Sequence, residues 1–434
     1  NFVFLDWIPV FTGMTINTDL YFTMKIEELK NKKILILGYG KEGRATEQYL
    51  KSILPDEVID HTDKNSDPHY LEKQKDYDLV IKTPGISKSL VSQKYTTATN
   101  IFFANCPNVI IGVTGTKGKS TTSSLIYHIL KTGKKKVHLV GNIGNPVLSE
   151  LMKPHGKDDI FVMELSSYQL DDIHYSPYIS VVLNLFPEHM NYHREVKNYY
   201  DAKKNIVKYA KQDDYFIYNP KYKELVQWAS NAQCHTQPFI SQTIPLRSED
   251  LTLQGEHNKE NIQAALAVTD LFHVSKEDVV KALKTFKPLP HRLENVGTFH
   301  DITFYDDAIS TTPESTIAAL QTLKEVDTLF LGGEDRGYDF SNLVYVIIEK
   351  GIKNIVLFPD SGGKIWALLH TKTSYLPRIF ETRDMKAAVQ FAYTHTRKKS
   401  ICLLSTASPS YSVWKNFEEK GDLFKLYVRG YEKN

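Results

Sequence analysis

Gly112-Val-Thr-Gly-Thr-Lys-Gly-Lys-Ser-Thr-Thr122 decides how this 434-residue chain is read. The apolar run Asn108–Val113 before it reads as a buried strand, and the apolar spacing of Ser120–Lys131 after it reads as a helix. Strand, glycine-rich turn and helix N-terminus make a phosphate cradle, because glycines let backbone N–H groups approach an anion and the helix end carries partial positive charge. Gly115, Thr116, Gly118 and Thr121 would line the cradle. Lys119 would reach the β- and γ-phosphates of ATP, and the Ser120 hydroxyl would ligand Mg²⁺. The plainer alternative is an ordinary Gly/Thr/Ser turn. A general loop of this class has glycine where this chain has Val113, so the loop is a tighter variant.

A second glycine-rich loop lies upstream. Lys33-Ile-Leu-Ile-Leu runs into Gly38-x-Gly40-x-x-Gly43, a helix follows through Arg44 to Leu50, and Asp60 ends the next apolar stretch. That is a dinucleotide-type fingerprint, weak alone, and it equally serves close helix–strand packing. Two such loops imply two nucleotide ligands, and a dehydrogenase is the weakest of the readings. Further strands are expected at 159–165, 179–184 and 215–218, and helices at 195–210 and 258–272. Residues 225–250 show little period and read as short strands or loop. After the Pro288–Arg292 linker, strands at 328–333, 354–358 and 401–405 alternate with helical stretches, which implies another parallel sheet.

The fold class is therefore α/β in three domains, 24–106, 107–289 and 290–434, a number that fits the length. Composition is ordinary, at 41% hydrophobic and 24% charged, and the net charge of +2 argues against a nucleic-acid binder. Three scattered cysteines fit a reducing cytoplasm, and no run of about 18 apolar residues would span a membrane. Residues 1–23 lack a basic n-region and read as an extension outside the domains, with Met24 as the expected start.

Further strings complete the pattern: Thr83-Pro-Gly-Ile86, Gly141-Asn-Ile-Gly144, Glu164-Leu-Ser-Ser-Tyr-Gln-Leu170, His189 and Tyr199-x-x-Ala202-Lys203. Then come His257-Asn-x-x-Asn261, His291-Arg292, Gly332-Gly-Glu-Asp-Arg336 and Asn416-Phe-Glu-Glu-Lys-Gly421. In this order, from Met24 onward, the chain resembles the Mur ligase family in its D-glutamate-adding branch; the tight phosphate loop is also similar to that of folylpolyglutamate synthases.

The resemblance implies Rossmann-like first and third domains around a central phosphate-loop ATPase-like domain. It implies a ligase joining D-glutamate to UDP-N-acetylmuramoyl-L-alanine, acting as a monomer. A substrate carboxylate attacks the γ-phosphate of ATP, and the amine of the acceptor then displaces phosphate from the acyl phosphate. Two anions meet in the first step, so positive charge there dominates catalysis, and Lys119 and Arg292 would supply it. Ser120 and Glu164 would hold one Mg²⁺. His189 would ligand a second, together with Lys203 as a carbamate, whose oxygens suit a hard cation. By residue type alone Lys203 reads as a solvated helix lysine, and Asn258 and Asn261 as helix caps. The family places these asparagines around adenine, Asp307 (with Asp306 beside it) on the ribose, and Asp60 and His61 on uracil. Gly40, Gly43 and Asn142 would meet the rest of the UDP-sugar, and Thr311, Arg336, Ser410 and Phe417 the acceptor.

The third domain departs from the family. Its Asp-Ser-Lys-Ala-Thr-Asn string is Asp307-Ala-Ile-Ser-Thr-Thr312 here, so Ile309 replaces a basic residue and Thr312 an asparagine. Leu404-Ser-Thr-Ala-Ser-Pro-Ser410 keeps Ser410 but moves the proline, Arg336 stands for a lysine, and Glu188 and Asn191 stand where aspartates are usual. A different acceptor such as L-glutamate, or a non-catalytic or partner-dependent ligase-like subunit that binds nucleotides, are the alternatives.

Overall fold

A computed structural model describes residues 24–64, 66–253, 255–287, 289–372 and 377–431. The expectations for residues 1–23 and for Pro288 fall outside these, as do the side chains of Met190, Asn191 and His257. Two compact units emerge, one of residues up to Thr116 with His138–Phe216 and Glu224–Thr236, the other of Lys117–Val137, Ile217–Lys223 and Gln237 onward.

The first unit holds β1 (Ile34–Leu37), β2 (Ile59–Thr62), β3 (Leu79–Lys82) and β4 (Tyr95–Thr96), a parallel sheet ordered β2-β1-β3-β4. All four residues of β1 and of β3 are buried, as strands covered on both faces require. Its second sheet contains β5 (Val109–Thr114), β6 (Val137–Gly141), β7 (Ile160–Glu164), β8 (Ile179–Val182), β9 (Tyr215–Tyr218) and β10 (His235–Pro238), ordered β10-β9-β8-β5-β7-β6. Strand β5 lies between β7 and β8, parallel to both, and the order reverses beside it. Open α/β sheets bind ligands at the carboxyl end of such a strand, where the phosphate loop starts.

In the second unit the helices Glu256–Asp270 and Lys276–Thr285 pack on Lys119–Thr132. The third sheet follows, from β11 (Glu294–Phe299), β12 (Ile302–Asp306), β13 (Val326–Gly333), β14 (Asn354–Asp360), β15 (Arg378–Glu381) and β16 (Ile401–Leu404), ordered β11-β12-β16-β13-β14-β15. Leu329 and Leu331 enter one hydrophobic core and Phe330 the other, the period of two expected of a central strand.

Three local expectations need correction. The third sheet is not wholly parallel, because β11 and β12 form an antiparallel hairpin. Two residues join them, His300 at φ +50° and Asp301 at φ +64°, the left-handed pair that a tight hairpin turn demands. Residues 225–250 contain a helix, Lys223–Ser230, of which Leu225, Trp228 and Ala229 are buried. Two turns are too short to display a period. Helix Glu256–Asp270 is capped by Gly255, so Asn258 and Asn261 lie inside it and are not caps.

Candidate active site

The phosphate loop enters helix Lys119–Thr132 through Gly118, whose φ of +84° is left-handed and favours glycine. No side chain caps this helix and its first turn has no acidic residue, so the helix itself supplies no charge against the positive end of its dipole. Lys119 and Ser120 open the helix and are half-buried, and Thr121 is buried. One turn in, the Thr122 hydroxyl donates to Asn261 Oδ1 at 3.2 Å, and Asn261 Nδ2 donates to Asn258 Oδ1 at 3.0 Å. Asn261 thus ties helix 256–270 to the phosphate-loop helix and is braced by Asn258 of its own helix, Asn261 buried and Asn258 partly accessible.

The first half of the loop is held from beneath. Thr116 N–H donates to Asn184 O at 3.1 Å, its hydroxyl to Phe186 O at 3.0 Å, and Tyr199 OH donates to that hydroxyl at 3.1 Å. Thr116 is 1% exposed, so its side chain and N–H anchor the loop to the end of β8 and do not line a ligand. Lys203 is not a solvated lysine either. It is 1% exposed on helix Val196–Lys208, and Nζ donates to Gly115 O at 2.8 Å and to Thr114 Oγ1 at 3.3 Å.

Glu164 ends β7 level with Val113 of β5. It is 4% exposed, and its Oε2 has no hydrogen-bond partner. A buried carboxylate oxygen without a partner is costly, and a hard cation such as Mg²⁺ fits it. Across the loop, Gly141 takes φ +101°, where a Cβ would stand 2.5 Å from Glu164 O, and the adjacent N–H of exposed Asn142 points to that same carbonyl at 3.4 Å. His189 adopts φ +61° and sets its ring 5.1 Å from Tyr168 and 6.2 Å from Tyr199, with Nε2 3.7 Å from Glu188. The sequence reading missed His193. Burial pushes its imidazole down to about 4, which keeps it neutral, with Nε2 3.0 Å from Ser167 Oγ.

In the first sheet the three fingerprint glycines differ in role. A Cβ on Gly38 would lie 2.0 Å from Thr83 Oγ1, and one on Gly43 2.2 Å from Gly38 O, so both serve packing. Gly40 caps helix Lys41–Ile53 and faces open space, the place for a phosphate to approach the backbone. Beside β2 a cleft of about 710 Å³ is lined by Lys33, Lys51, Asp60, His61, Lys73 and Tyr77. His61 stacks on Tyr39 at 3.5 Å and contacts Glu47 at 3.1 Å, while Asp60 accepts from Tyr77 OH at 2.7 Å.

In the third sheet His291 meets Asp306 at 2.7 Å, and a Cβ on Gly421 would strike that histidine at 2.0 Å. Asp307 is 2% exposed and accepts from Ser405 Oγ at 2.8 Å and Leu293 N–H at 3.2 Å, one internal hydrogen bond on each oxygen, and burial raises its carboxyl to about 6. Half-buried Arg292 lies next to Leu293 in that strap. Thr312 caps helix Pro313–Thr322 by accepting Ser315 N–H, work that asparagine does equally well, so this departure from the family is conservative. Ile309 and Thr311 are half-buried in the same loop.

Glu334 N–H donates to Pro409 O at 2.8 Å, which brings the loop of Arg336 against Ser410. Arg336 is exposed and lies 5.8 Å from the Tyr411 ring, whereas Ser410 is buried with no partner for its hydroxyl. Phe417 packs edge-on against His291 at 5.9 Å. Lys420, passed over in the sequence, is fully buried. Its Nζ donates to Thr406 Oγ1 at 2.5 Å, and burial lowers the ammonium to about 7 despite Asp306 and Asp307 nearby.

Residues 113–245 match the Mur ligase middle domain. The chain is 31% identical to the UDP-N-acetylmuramoylalanine–D-glutamate ligase of Acetivibrio thermocellus, over 94% of this chain and 98% of that protein. It is 30% identical to the ligase of the same name from Halalkalibacterium halodurans, over 93% and 98%. Among solved structures, MurF of Thermotoga maritima in complex with ADP superposes with a TM-score of 0.60 at 15% identity, covering 94% of this chain and 97% of that one. MurC of the same organism gives 0.59 at 19%, covering 93% and 100%.

Proposed function

The chain belongs to the Mur ligase family, and from that premise we propose how its residues divide the reaction. It is an ATP-dependent amide ligase of peptidoglycan precursor synthesis, adding D-glutamate to UDP-N-acetylmuramoyl-L-alanine. The observation that carries the assignment of residues is the buried Glu164 oxygen without a protein partner, one strand over from a phosphate loop whose helix has no acidic residue in its first turn.

Gly115, Gly118 and the first-turn N–H groups of Lys119, Ser120 and Thr121 bind the phosphates, and Lys119 and Arg292 offset charge at the transferring phosphoryl group. Thr116 acts through the loop. Ser120 and Glu164 hold one Mg²⁺, and His189 with carbamylated Lys203 holds a second. The ions, when bound, screen the phosphate charge that opposes attack by the substrate carboxylate. Asn258 is the accessible member of the pair near adenine, and Asn261 positions it. Asp307 would hold the ATP ribose through the lone pairs left on oxygens that each accept one internal hydrogen bond. Gly40, Asp60, His61 and Asn142 bind the UDP-sugar, with Gly43 in support. Thr311, Arg336, Ser410 and Phe417 bind D-glutamate.

The domains run 24–106, 107–289 and 290–434, and the enzyme acts as a cytoplasmic monomer. Three free cysteines support a reducing compartment, and among the described residues no helix is long and apolar enough to cross a membrane. Phosphate release from ATP, with Mg²⁺ and UDP-N-acetylmuramoyl-L-alanine, across a panel of D- and L-amino acids is the test. Release that depends on D-glutamate is expected. Release with L-glutamate alone, or with no acceptor, overturns the assignment.

A further inference from the structure

Strand β7 ends at Glu164, and its other end lies about 15 Å away at ~3.3 Å per residue. There four polar side chains converge that no step of ligation uses. They are His138 of β6, Glu150 of helix Val147–Leu151, His155 of the following loop and Asp159, the residue before β7. Glu150 and Asp159 are 3% and 5% exposed, and the two imidazoles pack against fully buried Phe161 at 5.0 Å each.

The hydrogen bonds determine where the ring lone pairs point. His155 Nε2 is 2.7 Å from the backbone carbonyl of Glu150, which only accepts, so that nitrogen carries the proton and Nδ1 presents its lone pair. His138 Nδ1 likewise meets Glu150 Oε1 at 3.1 Å, and its Nε2 points at Asp159 Oδ2 at 2.8 Å. Glu150 Oε2 is taken by Lys153 at 2.7 Å and Asn145 at 2.9 Å. His155 Nδ1 faces Asp159 Oδ2 at 3.5 Å without a hydrogen bond, and Asp159 Oδ1 has no partner at all. The His155 Nδ1 lone pair faces a buried carboxylate whichever His138 nitrogen is protonated, and the two repel unless a cation lies between. A proton on His138 Nε2 would satisfy Asp159 Oδ2 but leave His155 Nδ1 and Asp159 Oδ1 without partners, and protonating both rings would place two imidazoliums with centroids 4.6 Å apart. One divalent ion replaces both protons.

We propose that His138 Nε2, His155 Nδ1 and the Asp159 carboxylate bind a zinc-class divalent cation. The ligand atoms lie within 4.8 Å of one another. Two imidazoles and one carboxylate select zinc over magnesium, and a water completes a tetrahedron. Glu150 is the outer carboxylate that orients His138 and fixes its tautomer, the arrangement usual behind metal-bound histidines. The ion staples the loop between helix 147–151 and β7 to β6, a structural role apart from the phosphate chemistry.

The test is calorimetric titration with Zn²⁺ of the full chain, stripped by chelation and held in excess Mg²⁺, with Co²⁺ absorption as a readout of geometry. One tight Zn²⁺ equivalent, tetrahedral Co²⁺ bands and a Zn²⁺-dependent rise in Tm are expected. His155→Gln and Asp159→Asn should lose all three, and Glu150→Gln should weaken zinc about ten- to a hundredfold. His155 lies in a loop, so His155→Gln decides alone if Asp159→Asn does not fold. No stoichiometric uptake by the wild type, or wild-type uptake by His155→Gln, reduces the cluster to a proton-bridged network and overturns the proposal.

Discussion

Lys203 Nζ reaches from the buried face of helix Val196–Lys208 to the main-chain oxygen of Gly115 at 2.8 Å. A lysine is placed under the first turn of a phosphate loop at the cost of desolvating its ammonium, with contacts to Gly115 and Thr114 at its tip. A carbamate at that nitrogen keeps one N–H for the Gly115 carbonyl and adds two oxygens. Lys203→Ala is expected to lose activity at least a hundredfold and to regain part of it with added short-chain carboxylic acids. Lys203→Met, which keeps the packing, should respond in the same way. Loss without rescue in both variants would make the lysine a loop anchor only.

Glu164→Gln separates metal binding from folding. Its unpartnered buried oxygen should cost on the order of 1–3 kcal/mol until a cation binds. The variant is therefore expected to be as stable as wild type or more so without Mg²⁺, to lose most of the Tm gain from Mg²⁺ and ADP, and to turn over at least a hundredfold more slowly. Thermal melts with and without Mg²⁺–ADP read this directly.

Lys119→Ala should abolish turnover and leave binding of the uridine nucleotide nearly unchanged, because Gly40 and the cleft at Asp60 and His61 belong to a different sheet. Equal loss of both affinities in calorimetry would contradict two separate nucleotide sites.

Ile309 leaves the acceptor loop one cation short of the family pattern. A charged hydrogen bond is worth about 1.5–3 kcal/mol, and each 1.4 kcal/mol is tenfold in affinity, so Ile309→Lys should lower the KM for D-glutamate about ten- to a hundredfold without altering that for ATP. Lys420 offers an internal test of this idea, since its ammonium lies one hydroxyl away, through Thr406, from the Ser310 carbonyl. If Lys420 already supplies the charge, Ile309→Lys leaves KM unchanged and Lys420→Met raises it.

Lys420 also makes a prediction in pH. Its folded value, about 7, lies below the ordinary 10.5, so between those limits the unfolded chain binds more protons and stability rises with pH. This contribution is fully present above 10.5 and lost as pH falls through 7. Denaturant melts should therefore show wild type gaining on Lys420→Met from pH 7 to 10, by several kcal/mol at most. Parallel curves would show that the ammonium is not desolvated.

The sequence alone determined what local chemistry dictates. A left-handed turn between an apolar strand and a helix needs Gly118 in that place, and the run 108–113 is too uniformly apolar to be anything but a buried strand. Phosphate loop, fingerprint and most parallel strands were legible for that reason, and so was the family. Tertiary structure alone decided which polar residues face a ligand and which face the protein. Thr116 by its place in the loop, and Asp307 and Asn261 by family resemblance, are expected at ligands, and each also makes an internal hydrogen bond with a partner more than fifty residues away. Lys203 looks solvated in sequence, and both it and Lys420 are buried because each lies on the face that its helix turns inward. The edge hairpin β11–β12 and the His138–His155–Asp159 cluster were illegible for the same reason, since burial and pairing partner are properties of the packed chain and not of the residue.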